Sequence, residues 1–131
     1  MKLLLDTHAF LWSISKPSKL PAKARSTIED KTNQAFVSAV SLWEITIKIR
    51  INKLRLEWSG DLIGAAINAG IEPVPLIPEE AATYGELAEA SHTDPFDRML
   101  AWQAISRKMV LVSGDSEFGR FKKDGLKLLW K

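Results

Sequence analysis

Four carboxylates stand where apolar segments give way to sequence typical of helix starts: Asp6, Glu44, Asp97 and Asp115. Asp6 directly follows the apolar run at residues 3–5, and Asp115 comes shortly after another at residues 109–112. In an open α/β sheet, ligands bind outside the carboxyl ends of the strands. Acids gathered at that edge would repel one another unless a metal ion or an arginine lay among them. The placement therefore predicts an anionic cup for a hard cation.

Each acid also has a simpler explanation, because carboxylates are common helix caps. Asp6 can cap a helix that follows the first strand. Ser41 and Glu44 have the spacing of a capping box. Asp94 precedes a proline, the favoured first residue of a helix, and Asp97 would then lie near the positive helix end. Taken singly, each acid leaves both interpretations open, and function is favoured for the two acids that follow buried strands.

Length and composition indicate an ordinary globular protein. The 131 residues can bury one real core and are too few for two ordinary domains, so we expect a single domain over residues 1–131. Hydrophobic residues make up 46% and charged residues 26%. No apolar run approaches the roughly 20 residues that span a bilayer, and the N-terminus lacks the plan of a signal peptide. We therefore expect a cytoplasmic protein that does not contact membranes.

The chain contains no cysteine, which excludes disulfides and thiolate metal sites. His8 and His92 lack the spacing of a helical metal pair, and there is no glycine-rich phosphate loop. Ser38 and Ser41 have no evident His–Asp support. Oxygen ligands alone suit Mg²⁺ or Mn²⁺, which polarise phosphate oxygens and lower the pKa of water.

The net charge of +2 is too small to indicate a nucleic-acid-binding protein by itself. Basic residues nevertheless concentrate in two runs, at residues 48–55 and 120–127. Each run is more often a solvated face than a binding surface. A mildly basic surface around a cluster of acids would suit a polyanionic substrate held at a metal.

Hydrophobic periodicity predicts alternating strands and helices. The predicted strands cover residues 2–5, 35–37, 74–76, 110–112 and 126–130. The predicted helices cover residues 7–14, 21–30, a segment that begins at 41, 60–70, 79–90 and 94–108. Short strands that alternate with helices imply an α/β fold with a mainly parallel sheet. Three prolines, Pro73, Pro75 and Pro78, favour either an edge position or only a brief pairing for the third strand.

Four segments together resemble the PIN-domain family, and more narrowly the VapC-type toxins of bacterial and archaeal toxin–antitoxin pairs. They are residues 6–12 (DTHAFLW), 38–44 (SAVSLWE), 92–100 (HTDPFDRML) and 111–118 (LVSGDSEF). The resemblance covers essentially the whole chain and keeps the family's motif order. It implies an α/β/α sandwich with a parallel central sheet, and an endoribonuclease that depends on Mg²⁺ or Mn²⁺. It also implies an antitoxin protein that blocks the site.

By this resemblance the family's catalytic and metal-binding acids map to Asp6, Glu44, Asp97 and Asp115. Asp6 and Asp97 would bind the metal most directly. Glu44 and Asp115 would complete the cup through water or at a second ion, and one of them would help to deprotonate the attacking water. The small hydroxyl residue that supports the last acid maps to Ser113.

Four further residues receive expectations that leave alternatives open. Asp94 is interpreted mainly as a helix cap, with a water-mediated metal role as the alternative. His8 and His92 would orient neighbouring groups or touch RNA, or serve the structure only. Arg98 would either hold a phosphate of the RNA or pair with a neighbouring acid.

The family forms dimers, so the resemblance also implies a homodimer. Trp43, Ile47 and Trp58 could supply an apolar surface for it, although core packing is the expected use of each. Two other functions stay open. One is a non-catalytic module that binds RNA or protein, and the other is a phosphotransfer enzyme with an aspartyl nucleophile at Asp6. Such enzymes usually carry a second acid two residues later, where this chain has His8.

Overall fold

A computed structural model of the protein describes residues 1–56 and 60–131. Within them the strands are β1 (Lys2–Leu5), β2 (Gln34–Ser38), β3 (Ile71–Val74), β4 (Val110–Val112) and β5 (Lys127–Leu129). The helices are α1 (Thr7–Ser15), α2 (Ala22–Glu29), α3 (Ala39–Arg50), α4 (Leu62–Asn68), α5 (Pro78–Thr83) and α6 (Pro95–Ser106). Short 3₁₀ segments cover Pro17–Lys19, Tyr84–Glu86 and Ser116–Asp124.

The strands form one sheet in the order β3-β2-β1-β4-β5, and every neighbouring pair is parallel. The central strand β1 pairs Leu5 with Val37 of β2 on one side and with Val112 of β4 on the other. The carboxyl ends of these three strands therefore lie side by side at one edge. The prediction of a mainly parallel sheet is confirmed, and this edge is where the predicted acids must gather.

Alternate residues of the strands face two separate cores, as expected for a sheet covered on both sides. Leu3 and Leu5 pack into the core beneath α1, α2 and α4. Leu4 points the other way, into the core formed with α6 and the segment Ser116–Asp124. All three leucines are fully buried, and each contributes about 2 kcal/mol of transfer free energy. The α/β/α sandwich is thus confirmed.

Helix α3 begins three residues earlier than the capping-box pattern predicts. Ser38 is its N-cap, and the Ser38 hydroxyl accepts a hydrogen bond from the Val40 N–H at 3.0 Å. Strand β2 extends to Ser38 because Ser38 pairs with Val74 of β3, and the chain then turns directly into the helix. The capping-box interpretation of Ser41 and Glu44 is therefore wrong: Ser41 is a fully buried helical residue, and Glu44 lies in the middle of α3.

The two largest remaining differences from the sequence-based boundaries are in β3 and α5. Strand β3 covers Ile71–Val74 rather than residues 74–76, although its predicted edge position is confirmed. Its edge position tolerates Pro73, because only one side of the strand must donate hydrogen bonds. Helix α5 ends at Thr83 instead of continuing to residue 90, and the chain becomes extended at Leu87. Helix α4 ends as predicted next to Gly70, whose φ of 76° favours glycine.

The residues considered for an apolar dimer surface differ in exposure. Trp43 is 60% exposed, so the expectation that it packs into the core is wrong. Its ring instead lies against the edge of Phe96, with centroids 5.2 Å apart. Ile47 is partly buried, and Trp58 lies outside the described residues. No helix in the described parts of the chain combines the length and the apolar character needed to cross a membrane.

Candidate active site

All four predicted acids line one cleft of about 200 Å³ at the carboxyl edge of the sheet. The residues around it are Asp6, Thr7, His8, Glu44, Lys48, Asp94, Asp97, Asp115 and Phe118. The cleft thus holds five carboxylates, from four different parts of the chain, and one lysine. Sequence reasoning predicted the acids and His8, and it missed the roles of Thr7, Lys48 and Phe118.

Asp6 is the first acid of the cleft, because β1 ends at Leu5 and α1 begins at Thr7. It is the N-cap of α1, as predicted, and its Oδ1 accepts a hydrogen bond from the Ala9 N–H at 2.8 Å. Burial raises the pKa of Asp6, against hydrogen bonds from Ser113 and the Ala9 N–H, and the negative charge of Asp115 adds to the rise. The carboxylate is therefore held where its charge is costly.

Glu44 is buried and fully engaged by two neighbours. The Thr7 hydroxyl donates to its Oε1 at 2.6 Å, and the Lys48 Nζ lies 2.8 Å from its Oε2. The hydrogen bond with Glu44 also raises the pKa of Lys48. The Lys48 partnership was visible in the sequence, because residues four apart meet on one face of a helix. The Thr7 contact carried no sequence signal, since it joins two helices 37 residues apart.

Asp97 lies in the first turn of α6 and is oriented by a histidine. Nε2 of His92 is hydrogen-bonded to Oδ2 of Asp97 at 3.0 Å. The imidazole packs edge-on against Phe121, with ring centroids 5.7 Å apart, which fixes its orientation. Burial is the main reason that the pKa of Asp97 rises to about 6. The hydrogen bond from His92 opposes this rise, and the negative charges of Asp94 and Glu44 add to it. His92 therefore positions an acid of the cleft.

Asp115 and Ser113 form a short turn after β4. The Asp115 N–H donates to the Ser113 hydroxyl at 3.0 Å, and Asp115 Oδ1 accepts the Glu117 N–H at 2.9 Å. The side chain of Asp115 is exposed at the cleft, while Ser113 is buried beneath it. Ser113 thus supports both Asp115 and Asp6, the position expected from the resemblance.

Asp94 is the N-cap of α6, which confirms the capping prediction. Its Oδ1 accepts hydrogen bonds from the N–H groups of Phe96 at 2.9 Å and Asp97 at 3.2 Å. Asp94 also lines the cleft, so the same residue caps α6 and adds a carboxylate to the site.

Arg98 makes contacts that neither expectation included, and pairing with a neighbouring acid, one of the two expectations, is not found among the described residues. Its Nε donates to the Tyr84 hydroxyl at 2.9 Å, and one terminal nitrogen donates to the carbonyls of Glu89 at 2.6 Å and His92 at 3.0 Å. Arg98 does not line the cleft, and in the described residues no carboxylate forms an ion pair with it. Arg98 instead holds the loop that carries His92, and through His92 it acts on Asp97.

The donor set of the cleft suits an oxygen-preferring cation in type and in charge. Five carboxylates face one lysine, and the pKa values of Asp6 and Asp97 are raised mainly by burial, with a smaller contribution from the neighbouring negative charges. Within residues 1–56 and 60–131, however, no three carboxylate or imidazole groups stand close enough to enclose an ion. Enclosing a cation therefore requires rotation of side chains in the cleft.

Comparison with known proteins identifies the family. A family model described as PIN domain matches residues 3–124, which is most of the chain. The chain belongs to the PIN domain family. This family is of the nuclease type, so the coarse function of this PIN domain is that of a hydrolase.

Solved structures share the fold of this PIN domain. VapBC2 from Rickettsia felis, bound to a DNA fragment from its promoter, has a TM-score of 0.71 at 20% identity, with 100% of each chain covered. DNA-bound VapBC from Salmonella typhimurium has a TM-score of 0.68 at 20% identity, with 98% of this chain and 97% of that chain covered. FitAcB from Neisseria gonorrhoeae has a TM-score of 0.58 at 19% identity, over 97% and 96% of the two chains. None of the curated proteins matches the sequence significantly.

Proposed function

We propose that this PIN domain is a metal-dependent endoribonuclease and the toxin of a toxin–antitoxin pair. The observation that carries the proposal is the cleft in which five carboxylates converge from distant parts of the chain. A structural role explains single acids, as helix capping does for Asp6 and Asp94. It does not explain why Glu44 and Asp97, neither of which is a helix cap, are held beside them at a cost in charge repulsion.

Asp6 and Asp97 would hold the Mg²⁺ or Mn²⁺ ion directly, because both line the cleft and Oδ1 of Asp97 is not used by the contacts described above. Such an ion, when bound, supplies positive charge that stabilises a phosphate under attack and eases the ionisation of water. Glu44 and Asp115 would complete the anionic ring.

Of these two acids, Asp115 is the better proton acceptor for the attacking water. Both oxygens of Glu44 are already engaged, by Thr7 and Lys48. Asp115 is exposed at the cleft and uses only Oδ1 in its turn. His92 orients Asp97, and His8, at the mouth of the cleft, is placed to meet the RNA.

The test is cleavage of labelled RNA by the metal-free protein before and after Mg²⁺ is added. We expect cleavage only with Mg²⁺ or Mn²⁺, and a loss of roughly a hundredfold or more in Asp6→Asn and Asp97→Asn. A matched control is Asp61→Asn, which changes an exposed helix cap outside the cleft. Cleavage in EDTA, or cleavage that survives both substitutions, would refute the proposed site. Metal-independent RNA binding without cleavage would favour the non-catalytic module instead.

The toxin role adds an antitoxin as a partner. It is supported by the fold shared with the VapBC structures. We expect a small protein encoded beside this chain to bind it and to suppress its RNA cleavage when the two are produced together. Cleavage that is unchanged in such a complex would contradict the toxin role while leaving the nuclease proposal intact.

The proposed homodimer is supported by an apolar groove of about 300 Å³ beside Trp43, lined also by Leu76 and Phe96. Burying these side chains between two copies would remove a large aromatic surface from water. Sedimentation of the wild type and of Trp43→Lys tests this assignment. We expect a dimer that the substitution converts to a monomer, and an unchanged sedimentation coefficient would contradict it.

A further inference from the structure

A row of aromatic rings leads away from the acidic cleft. The rings of His8 and Trp12 have centroids 6.4 Å apart, and those of Trp12 and Trp130 have centroids 5.9 Å apart. His8 is exposed, and both tryptophans are partly exposed. His8 also lines the cleft, so the row begins where the carboxylates are.

Two further hollows continue the cleft along this row. The first, of about 230 Å³, lies between Asp6 and Asp115 on one side and the two tryptophans on the other. The second, of about 290 Å³, joins Trp12 to three cations. We call the two hollows the aromatic–basic groove, defined by His8, Trp12, Lys16, Lys19, Arg55 and Trp130. Because His8 borders the cleft and both hollows, the three form one path across the surface.

Trp130 is held in the groove by the backbone of Gly114. A Cβ at position 114 would lie 2.6 Å from Cε2 of the Trp130 indole, closer than any side chain can approach. Only glycine therefore allows the ring to rest at this place. Since Gly114 stands between Ser113 and Asp115, the ring is fixed directly beside an acid of the cleft.

The far end of the groove is positively charged. Lys16, Lys19 and Arg55 are all exposed, and Lys19 Nζ lies 6.0 Å from the centre of the Trp12 ring. None of the ion pairs between described residues involves these three cations. The path therefore runs from carboxylates, past stacking rings, to cations that are available for phosphates.

This order of chemistry matches one kind of ligand. Aromatic rings stack on unpaired bases, and basic side chains follow the backbone of a single strand. In a duplex the faces of the bases are covered, so the rings would have nothing to stack on. His8 and Trp12 lie one turn apart on α1, and Lys16 follows at its C-cap, so the three residues extend over about 12 Å. That length matches on the order of three stacked nucleotides at about 3.4 Å each.

We infer that the aromatic–basic groove binds the unpaired strand of the RNA on one side of the cleaved bond, with bases stacked on Trp12 and Trp130 and phosphates at Lys16, Lys19 and Arg55. The inference rests on the proposed function, because it assigns the substrate of the same cleft.

The test measures binding apart from cleavage. A fluorescein-labelled RNA single strand of about 12 nucleotides, within the site sizes of single-strand-binding folds, is titrated with protein in EDTA, and its anisotropy is followed. We expect Trp12→Leu and Trp130→Leu each to weaken binding about tenfold. Trp102→Leu is the matched control and should leave binding unchanged, because Trp102 is equally large, also packs partly against the core and does not line the groove. A duplex of the same strand should bind clearly more weakly than the single strand.

Both tryptophans pack partly against the core, so replacing them could also change the stability of the fold. A second pair of variants therefore changes the groove without disturbing the core. Lys16→Glu and Lys19→Glu alter exposed side chains and should lower the salt dependence of binding by about 0.7 for each phosphate that the variant no longer neutralises. Lys2→Glu makes the same change of charge at the opposite edge of the sheet and should leave binding unchanged. With Mg²⁺, the groove variants should raise KM for RNA and leave kcat nearly unaltered.

The proposal that the groove binds RNA would be overturned if the wild type, the two tryptophan variants and the two lysine variants all bound the single strand equally well. Equal affinity for single strand and duplex would overturn it as well. The failure of the proposed nuclease has a different signature, the absence of RNA cleavage by the wild type with Mg²⁺. The anisotropy comparison in EDTA does not depend on that result, so the two failures are distinguishable.

Discussion

Replacing Asp97 with asparagine should make the metal-free protein more stable at neutral pH, although it removes a proposed metal ligand. The pKa of Asp97 is raised from its ordinary 3.8 to about 6. One pKa unit corresponds to about 1.4 kcal/mol, so the ionised side chain costs about 3 kcal/mol in the folded state. The Asp97 side chain is only 20% exposed, so solvent screens little of this free-energy cost. Asparagine makes a weaker hydrogen bond to His92 than the carboxylate does, which offsets part of this gain in stability. The free energy of unfolding should therefore rise by about 1–3 kcal/mol.

The dependence on pH follows from the direction of the shift. The folded wild type binds the proton of Asp97 more tightly than the unfolded chain does. Its free energy of unfolding therefore falls as the pH rises from about 4 to about 6, and the full penalty is present above that range. Asparagine does not titrate. The advantage of Asp97→Asn should consequently be small near pH 4 and largest at pH 7 and above.

The assay is urea unfolding in EDTA at several pH values between about 4 and 8. Asp61→Asn is the control, because Asp61 is an exposed N-cap of α4 and asparagine caps a helix about as well as aspartate. It should show no gain that grows with pH. If Asp97→Asn is no more stable than the wild type at pH 8, or if its advantage is the same at pH 4 and pH 8, the buried charge of Asp97 does not destabilise the fold.

Three further predictions concern stability, each measured by urea unfolding. Glu80→Gln should cost about 3 kcal/mol, because the buried Glu80 is paired with an arginine at 2.6 Å. Burial alone would raise the pKa of Glu80, but its hydrogen bonds to Arg107 and Gln103 lower it below its ordinary 4.5. The difference in stability between wild type and Glu80→Gln should therefore shrink as the pH falls below about 4.5, and it should not shrink as the pH rises. Ser38→Ala should cost about 1–2 kcal/mol as the loss of an N-cap, whereas Ser41→Ala should be neutral or stabilising, because the buried Ser41 hydroxyl has no partner among the described residues. Lys48→Met should cost about 1–2 kcal/mol, because it leaves the buried Glu44 without its cation, and no loss of stability would contradict the pairing.

Strands β1 and β4 and the positions of the acids were predictable because they depend on local sequence. The leucines at 3–5 and the valines around Leu111 form uninterrupted apolar runs, which are typical of strands buried on both faces. An acid directly after such a strand lies at the carboxyl edge of a parallel sheet whatever the details of packing. Four motifs in order then indicated the family, and the PIN domain match confirmed it.

Other features depend on contacts between distant residues, which local patterns do not contain. Ser38 and Ser41 are both acceptable caps, and the pairing of Ser38 with Val74 decides between them. Arg98 follows Asp97 in sequence, which suggested a role at the cleft. Its helical direction turns it instead toward Tyr84 and the loop at Glu89.

The aromatic–basic groove illustrates the same limit. Trp12 and Trp130 are 118 residues apart in sequence, and they meet because α1 and the end of β5 both lie at the carboxyl edge of the sheet. Gly114 carries no sign of its role until the indole is placed against it. Each residue looked ordinary alone, and the packing of the sheet gives them a common surface.

Calorimetric titration of the metal-free protein with Mn²⁺ asks directly whether the acids of the cleft together hold a divalent cation. We expect saturable binding to the wild type that Asp6→Asn and Asp97→Asn each weaken at least tenfold, while Asp61→Asn leaves it unchanged. The absence of saturable Mn²⁺ binding, or binding of equal affinity in the wild type and both cleft variants, would mean that these acids do not form a metal site.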